Sequence, residues 1–182
     1  MKRLKNKFST RKILVTAMFI AIGVILPSIF HTFNMAGNIF LPMHIPILIC
    51  AVICGGKYGG ICGLIVPILS SFLTGMPPIF PVAIIMSLEL GCYGLTLGIL
   101  LKRRSIIVSL IVTLLVGRTL SCIANFIILG VVQNTFAFSA FLMGAFVTAF
   151  PGIIIQLILI PILYNFLKRR NYINVWYKDV LW

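Results

Sequence analysis

PMHIPILICAVICGGKYGGICGLIVPILSSFLT, residues 42–74, decides how many times this chain crosses a membrane. As a single helix it would run about 50 Å at 1.5 Å per residue. The hydrocarbon core of a bilayer is only about 30 Å thick. The segment GGKYGG, 55–60, interrupts the run. Glycine pairs flanking a lysine make a tight polar turn. The stretch therefore predicts two short helices, 42–55 and 59–74, joined at that turn.

Four more apolar runs lie outside it, at 13–31, 81–101, 106–131 and 139–167. The 182 residues are 61% hydrophobic and 9% charged, with a mean hydropathy of +1.18. Soluble domains carry about 25% charged residues. The reading is an all-α integral membrane protein, a compact bundle of six transmembrane helices. Three parts follow: a basic cytoplasmic segment 1–12, a six-helix membrane domain 13–167, and a cytoplasmic tail 168–182. The first apolar run follows MKRLKNKFSTRK and shows no small-x-small cleavage site. It reads as a retained span, not a signal peptide.

Charge placement sets the orientation. The segments 1–12, 55–58, 102–105 and 168–182 hold fourteen of the fifteen Lys and Arg, among them Lys57, Lys102, Arg103, Arg104, Lys168, Arg169 and Arg170. The alternate segments, 31–41, 74–80 and 132–138, hold none. Positive residues stay on the cytoplasmic side, so both termini are expected inside. The net charge of +13 is thus a topology signal and an attraction to anionic headgroups of the lipid bilayer, with no nucleic-acid partner implied. Trp176 and Tyr177 fit an interfacial anchor.

Nine prolines, including Pro27, Pro42, Pro46, Pro67, Pro77, Pro78, Pro81, Pro151 and Pro161, fall in or beside the spans. They read as kinks, or as breaks that line a cavity. Small residues recur four apart: Ala17 with Ala21, Ala51 with Gly55, Gly59 and Gly63, and Ala145 with Ala149 on the last helix. Such faces let helices approach closely. The five cysteines, Cys50, Cys54, Cys62, Cys92 and Cys122, complete no zinc pattern and read as small packing residues.

The remaining basic residue, Arg118, lies inside an apolar run, as does Glu89. A charge at bilayer depth costs about 3 kcal/mol or more and marks a ligand or ion site. Arg118, Ser121, Cys122 and Asn125 share one face of the fifth span. Glu89 and Tyr93 lie one turn apart on the fourth. Gln156 is mid-span on the sixth, His44 lies near the outer end of the second, and Asn34 and Asn38 lie in the first outer loop. Arg clamps a carboxylate through two parallel hydrogen bonds. Glu89 can accept from a ligand or neutralise Arg118, and the pair can equally pin two helices together. The catalytic inventory is thin: two acids, Glu89 and Asp179, two histidines, His31 and His44, and no P-loop. An enzyme is not expected, nor a cofactor or a bound metal.

Residues 41–95 resemble substrate-binding S components of energy-coupling factor (ECF) vitamin transporters. The resemblance rests on M-H-I-P, on the G-x-x-x-G turn and on S-S-F-L-T-G-M-P-P, with the Ala17-x-x-x-Ala21 pair in support. It implies a subunit that binds a small-molecule vitamin near the outer face. It also implies a transmembrane coupling subunit, which contacts Ala17 and Ala21, and two cytoplasmic ATPases. The segment is most similar to members assigned to pantothenate, with vitamin B6-type and hydroxymethylpyrimidine-type members next. On this reading Arg118, Glu89, His44, Asn125, Gln156, Tyr93 and Asn38 are the candidate substrate contacts. Two rivals stay open: a stand-alone proton-coupled transporter of a small metabolite using Glu89, and a small membrane enzyme acting on lipid.

Overall fold

The computed structural model of the protein describes residues 10–32, 40–132 and 138–170. Among them there is helix and no strand. Helix α1 spans Thr10–Thr32, α2 His44–Cys54 and α3 Gly56–Thr74. A π-helical turn, Ile79–Ala83, leads into α4, Ile84–Leu100. Helix α5, Ile106–Asn125, continues as a π-helical segment, Phe126–Val132. The short α6, Phe138–Leu142, passes through a π-helical stretch, Met143–Thr148, before α7, Phe150–Arg169. Five helices are long and apolar enough to cross a membrane: those of α1, α3, α4, α5 and α7. The 11-residue α2 is shorter.

The break within 42–74 is present, but it is one residue long. Gly55 takes φ 92°, ψ 172°, a backbone state that suits glycine. Its N–H donates to Ala51 O, and its own carbonyl accepts from Gly59 N–H, each at 3.0 Å. One glycine thus closes α2 and opens α3. The expected turn at 55–58 shrinks to this residue, and Lys57 and Tyr58 are already helical.

The glycines after it serve a different purpose, the close approach of α3 and α4. A Cβ added at Gly94 would overlap the Gly59 carbonyl group, one at Gly98 would overlap the Gly56 backbone, and one at Gly63 would overlap the Leu90 carbonyl group. These are contacts of backbone on backbone, so nothing soft lies between the helices. The opposed pairs run 56 with 98, 59 with 94 and 63 with 90, which makes α3 and α4 antiparallel. Small residues at such a face let main chains touch and gain dispersion.

The same logic registers the neighbours. The Cys50 thiol reaches the Thr16 hydroxyl at 3.7 Å and the Cys54 thiol reaches Lys12 O at 3.9 Å, so α1 and α2 are antiparallel. Gly23 of α1 lies against Val66 of α3. Arg11 and Lys12, the α2–α3 junction with Lys57, and the Lys102–Arg104 turn therefore share one end of the bundle. Helix α2 packs against α1, α3, α4 and α7, and eight of its residues are buried. It is the central element although the shortest of the core.

The outward faces are apolar. Helix α7 exposes Ile154, Ile158, Ile162 and Phe166 at four-residue spacing, and α1 exposes Leu14, Met18, Ile22 and Ile25. Ala17 and Ala21 are also exposed on α1. The last apolar run differs from expectation. Ala145 lies in the π-helical stretch and Ala149 just before α7, because the helix restarts where Pro151 takes an early position. Both alanines are buried.

The glycine seam makes an asymmetric prediction. Gly94→Ala forces a Cβ into backbone and should cost about 1–3 kcal/mol, read as a lower melting temperature in detergent. Gly144→Ala, where a Cβ meets nothing within 4 Å, should leave the melting temperature within about 1 °C by the same reasoning.

Candidate functional site

The antiparallel pairing of α4 with α5 and the central place of α2 bring three helices to one polar cluster. Glu89 is in the second turn of α4, and Tyr93 follows one turn later on the same face. Arg118 comes from α5 and His44 from the first residue of α2. The Arg118 Nη1 lies 2.9 Å from Glu89 Oε1. The Tyr93 hydroxyl donates to the same oxygen at 2.9 Å. His44 Nε2 stands 3.9 Å from it, too far for a hydrogen bond. The His44 and Tyr93 rings lie 5.4 Å apart, tilted by 55°. The side chains of Arg118 and Glu89 are 12% and 6% exposed.

The ion pair that the sequence left as one of two options is thus formed. Breaking a buried pair costs far more than the pair contributes over an apolar replacement, so Glu89 and Arg118 fix each other. Tyr93 adds a third constraint, and its own position depends on a residue that sequence reading did not select. A Cβ at Gly117 would overlap the Tyr93 ring; the glycine is the flat seat on which the ring rests. The signal was legible in principle. Ser109, Thr113, Gly117 and Ser121 recur every four residues, and all are buried.

Several polar atoms at the cluster and along α5 and α7 have no hydrogen-bond partner among the described residues. They are Nε and Nη2 of Arg118, both ring nitrogens of His44, both amide atoms of Gln156, and the Ser109 and Thr113 hydroxyls. The last two stand out against Thr16, Thr74, Thr96 and Thr119, whose hydroxyls donate to the carbonyl four residues back. A buried polar group without a partner costs about 1–3 kcal/mol, and such groups in number mark a place where a polar ligand or water completes the bonding.

The other expected contacts divide. Gln156 is fully buried on α7, and α7 packs on α2 and α5. Asn125 donates from its amide to Ser121 O at 2.8 Å, so this side chain is engaged with its own helix. Asn34, Asn38, Trp176, Tyr177 and Asp179 lie outside the described residues. Missed by sequence reading was the clasp over the α3–α4 connection. Ser70 and Ser71 donate to Met76 O at 2.9 Å and Pro77 O at 2.5 Å, tying the Gly75–Pro78 loop to the end of α3. No cluster of three His, Cys, Asp or Glu side chains able to hold a metal occurs among the described residues.

A family model described as ECF transporter, substrate-specific component, matches residues 11–164. The chain belongs to this family. No curated protein sequence and no solved structure matches it. As a substrate-specific component it is a multi-pass protein of the cell membrane that binds a transported small molecule and is not an enzyme. It works in a membrane complex with a coupling subunit and ATPases.

The cluster predicts a non-additive mutant pair. Arg118→Met leaves Glu89 buried and unpaired and should cost about 3–5 kcal/mol. Adding Glu89→Gln should recover much of that loss in a thermal melt. Tyr93→Phe should cost about 1.5–3 kcal/mol, the value of a hydrogen bond to a charged group.

Proposed function

We propose that this substrate-specific component captures a small water-soluble vitamin at the outer face of the membrane, pantothenate first, with B6-type and pyrimidine vitamins next. Delivery then runs through a transmembrane coupling subunit and two cytoplasmic ATPases. The observation that carries the proposal is the Glu89–Arg118 pair of 2.9 Å, set among buried donors and acceptors of Arg118, His44 and Gln156 that have no protein partner among the described residues. Apolar packing has no use for such a set; a hydroxylated, amide-bearing or anionic ligand does.

We read six crossings with both termini cytoplasmic. Five helices have span length, and α2, about 16 Å long by its rise, serves as the second crossing. It is shielded by α1, α3, α4 and α7, so its length need not match the lipid. In this orientation the first residue of α2 and the second turn of α4 lie toward the outside. Arg118, about 18 Å along α5 from Ile106, meets them there. His44, Tyr93, Arg118 and Gln156 are the proposed substrate contacts, with Glu89 at the same cluster holding Arg118 in place. Asn125 is a weaker candidate, given its bond to Ser121 O, and Asn38 is kept from the sequence alone. The segments 1–12 and 168–182 are the proposed cytoplasmic flanks of the membrane domain 13–167.

The exposed Ala17 and Ala21 on α1 are the proposed contact with the coupling subunit, where small side chains permit close helix approach. Secondary transport through Glu89 finds less support, because a carboxylate held by Arg118 and Tyr93 is a poor proton carrier.

Two outcomes test the proposal. Mass spectrometry of small molecules that co-purify with the protein should find one vitamin at about one per chain, retained without ATP. An empty protein that shows no thermal shift with any B vitamin contradicts it. Replacing Ala17 and Ala21 by Trp should abolish co-purification with the coupling subunit while vitamin binding is unchanged.

A further inference from the structure

The two ends of the Arg118 guanidinium are used differently. Nη1 is committed to Glu89 Oε1 at 2.9 Å. Nε and Nη2 are buried and have no hydrogen-bond partner among the described residues. These two nitrogens lie along one edge of the planar fork, and their N–H bonds run parallel, the arrangement that receives both oxygens of a carboxylate at once. Glu89 is a single carboxylate that engages the opposite side, so the free edge is not a leftover of that pair. His44, whose ring nitrogens have no hydrogen-bond partner among the described residues, stands 3.9 Å from the same Glu89 oxygen.

We infer that the substrate is a carboxylate-bearing molecule, held two-point by the Nε–Nη2 edge of Arg118, and that Glu89 is a positioning residue. This rests on the proposed vitamin-binding function and narrows it. Glu89 and the Tyr93 hydroxyl hold the far end of the guanidinium, and Gly117 seats the Tyr93 ring. The fork is thereby aimed before a ligand arrives, which reduces the ordering that binding requires. Glu89 also offsets the arginine charge, and the arriving carboxylate adds a second anion beside it. A neutral alcohol or amide in the same place offers one acceptor oxygen and leaves one edge nitrogen buried and unsatisfied. Buried donors left unpaired reject the analogue that lacks their partner.

The inference separates ligands that differ in one group. The experiment is a binding titration of the purified protein, freed of co-purified ligand, with three matched pairs: pantothenate and pantothenol, nicotinate and nicotinamide, biotin and its primary amide. Each pair is measured on the wild type and on Arg118→Lys. Lysine keeps a cation opposite Glu89 but has no fork, and a thermal melt checks that it folds. For the pair that binds, the acid should bind roughly 100-fold more tightly than its neutral twin. Arg118→Lys should erase most of that ratio by weakening the acid alone. A neutral vitamin that binds as tightly as any acid, or an acid preference that survives in Arg118→Lys, overturns the carboxylate clamp while leaving the vitamin-binding function standing. If no member of the panel and no other B vitamin binds the folded wild type, that function fails and the clamp with it. The wild-type comparison needs no variant, so a misfolded Arg118→Lys does not shield the inference.

Discussion

A guanidinium and a carboxylate 2.9 Å apart inside an apolar bundle constrain the rest of this protein. Neither charge is tolerable alone at that depth. Helix α4 must present Glu89 and α5 must present Arg118 at the same level, and α2 must start beside them to cover the pair with His44. The glycine seam between α3 and α4 serves this requirement. By letting backbone touch backbone from Gly56–Gly98 to Gly63–Leu90, it fixes α4 in rotation and height. A rotation of α4 by a third of a turn would carry Glu89 toward lipid. Packing and electrostatics thus specify one another, and the polar site depends on contacts among residues with no side chains.

Much of this was legible before the structure. Five spans were visible because each is a long apolar run. The Glu89–Arg118 pair could be picked out because charges within such runs have no bland explanation. Tyr93 followed from its place one turn beyond Glu89. What escaped has physical reasons. The α4 side of the seam, Gly94 and Gly98, went unread because a glycine in a membrane helix carries no polarity signal, and its partner helix must be known before its spacing has meaning. Gly117 escaped for the same reason. The GGKYGG segment was read as a turn from its composition, whereas one glycine suffices and the others remain helical for packing. The restart of the last helix at Phe150 was hidden because Met143–Thr148 is as apolar as the helix that follows. Asn125 was placed correctly on the arginine's face, but a side chain that bonds to its own backbone is indistinguishable in sequence from one that faces a ligand.

Membership in the ECF substrate-specific components accounts for features that are otherwise odd. The catalytic inventory is thin because energy conversion belongs to ATPases in other chains. The outward faces are apolar along most of their length because they meet lipid. Family membership alone does not name a substrate; against that background stands an arginine with two of its three guanidinium nitrogens buried and without a hydrogen-bond partner among the described residues. The polar stripe of Ser109, Thr113, Gly117 and Ser121 extends from that arginine along α5, and the Ser109 and Thr113 hydroxyls in it have no partner among the described residues.

The account's central claim is that the cluster between α2, α4 and α5 is where the substrate sits. Its most direct test is an experimental structure of the protein with its co-purified or added vitamin. The account predicts ligand density between those three helices, with ligand oxygens within about 3 Å of Arg118 Nε and Nη2 and the Glu89–Arg118 pair intact. A ligand bound elsewhere, with the arginine edge and the His44 nitrogens still unpaired, would contradict it and return Glu89 and Arg118 to the role of a structural pin.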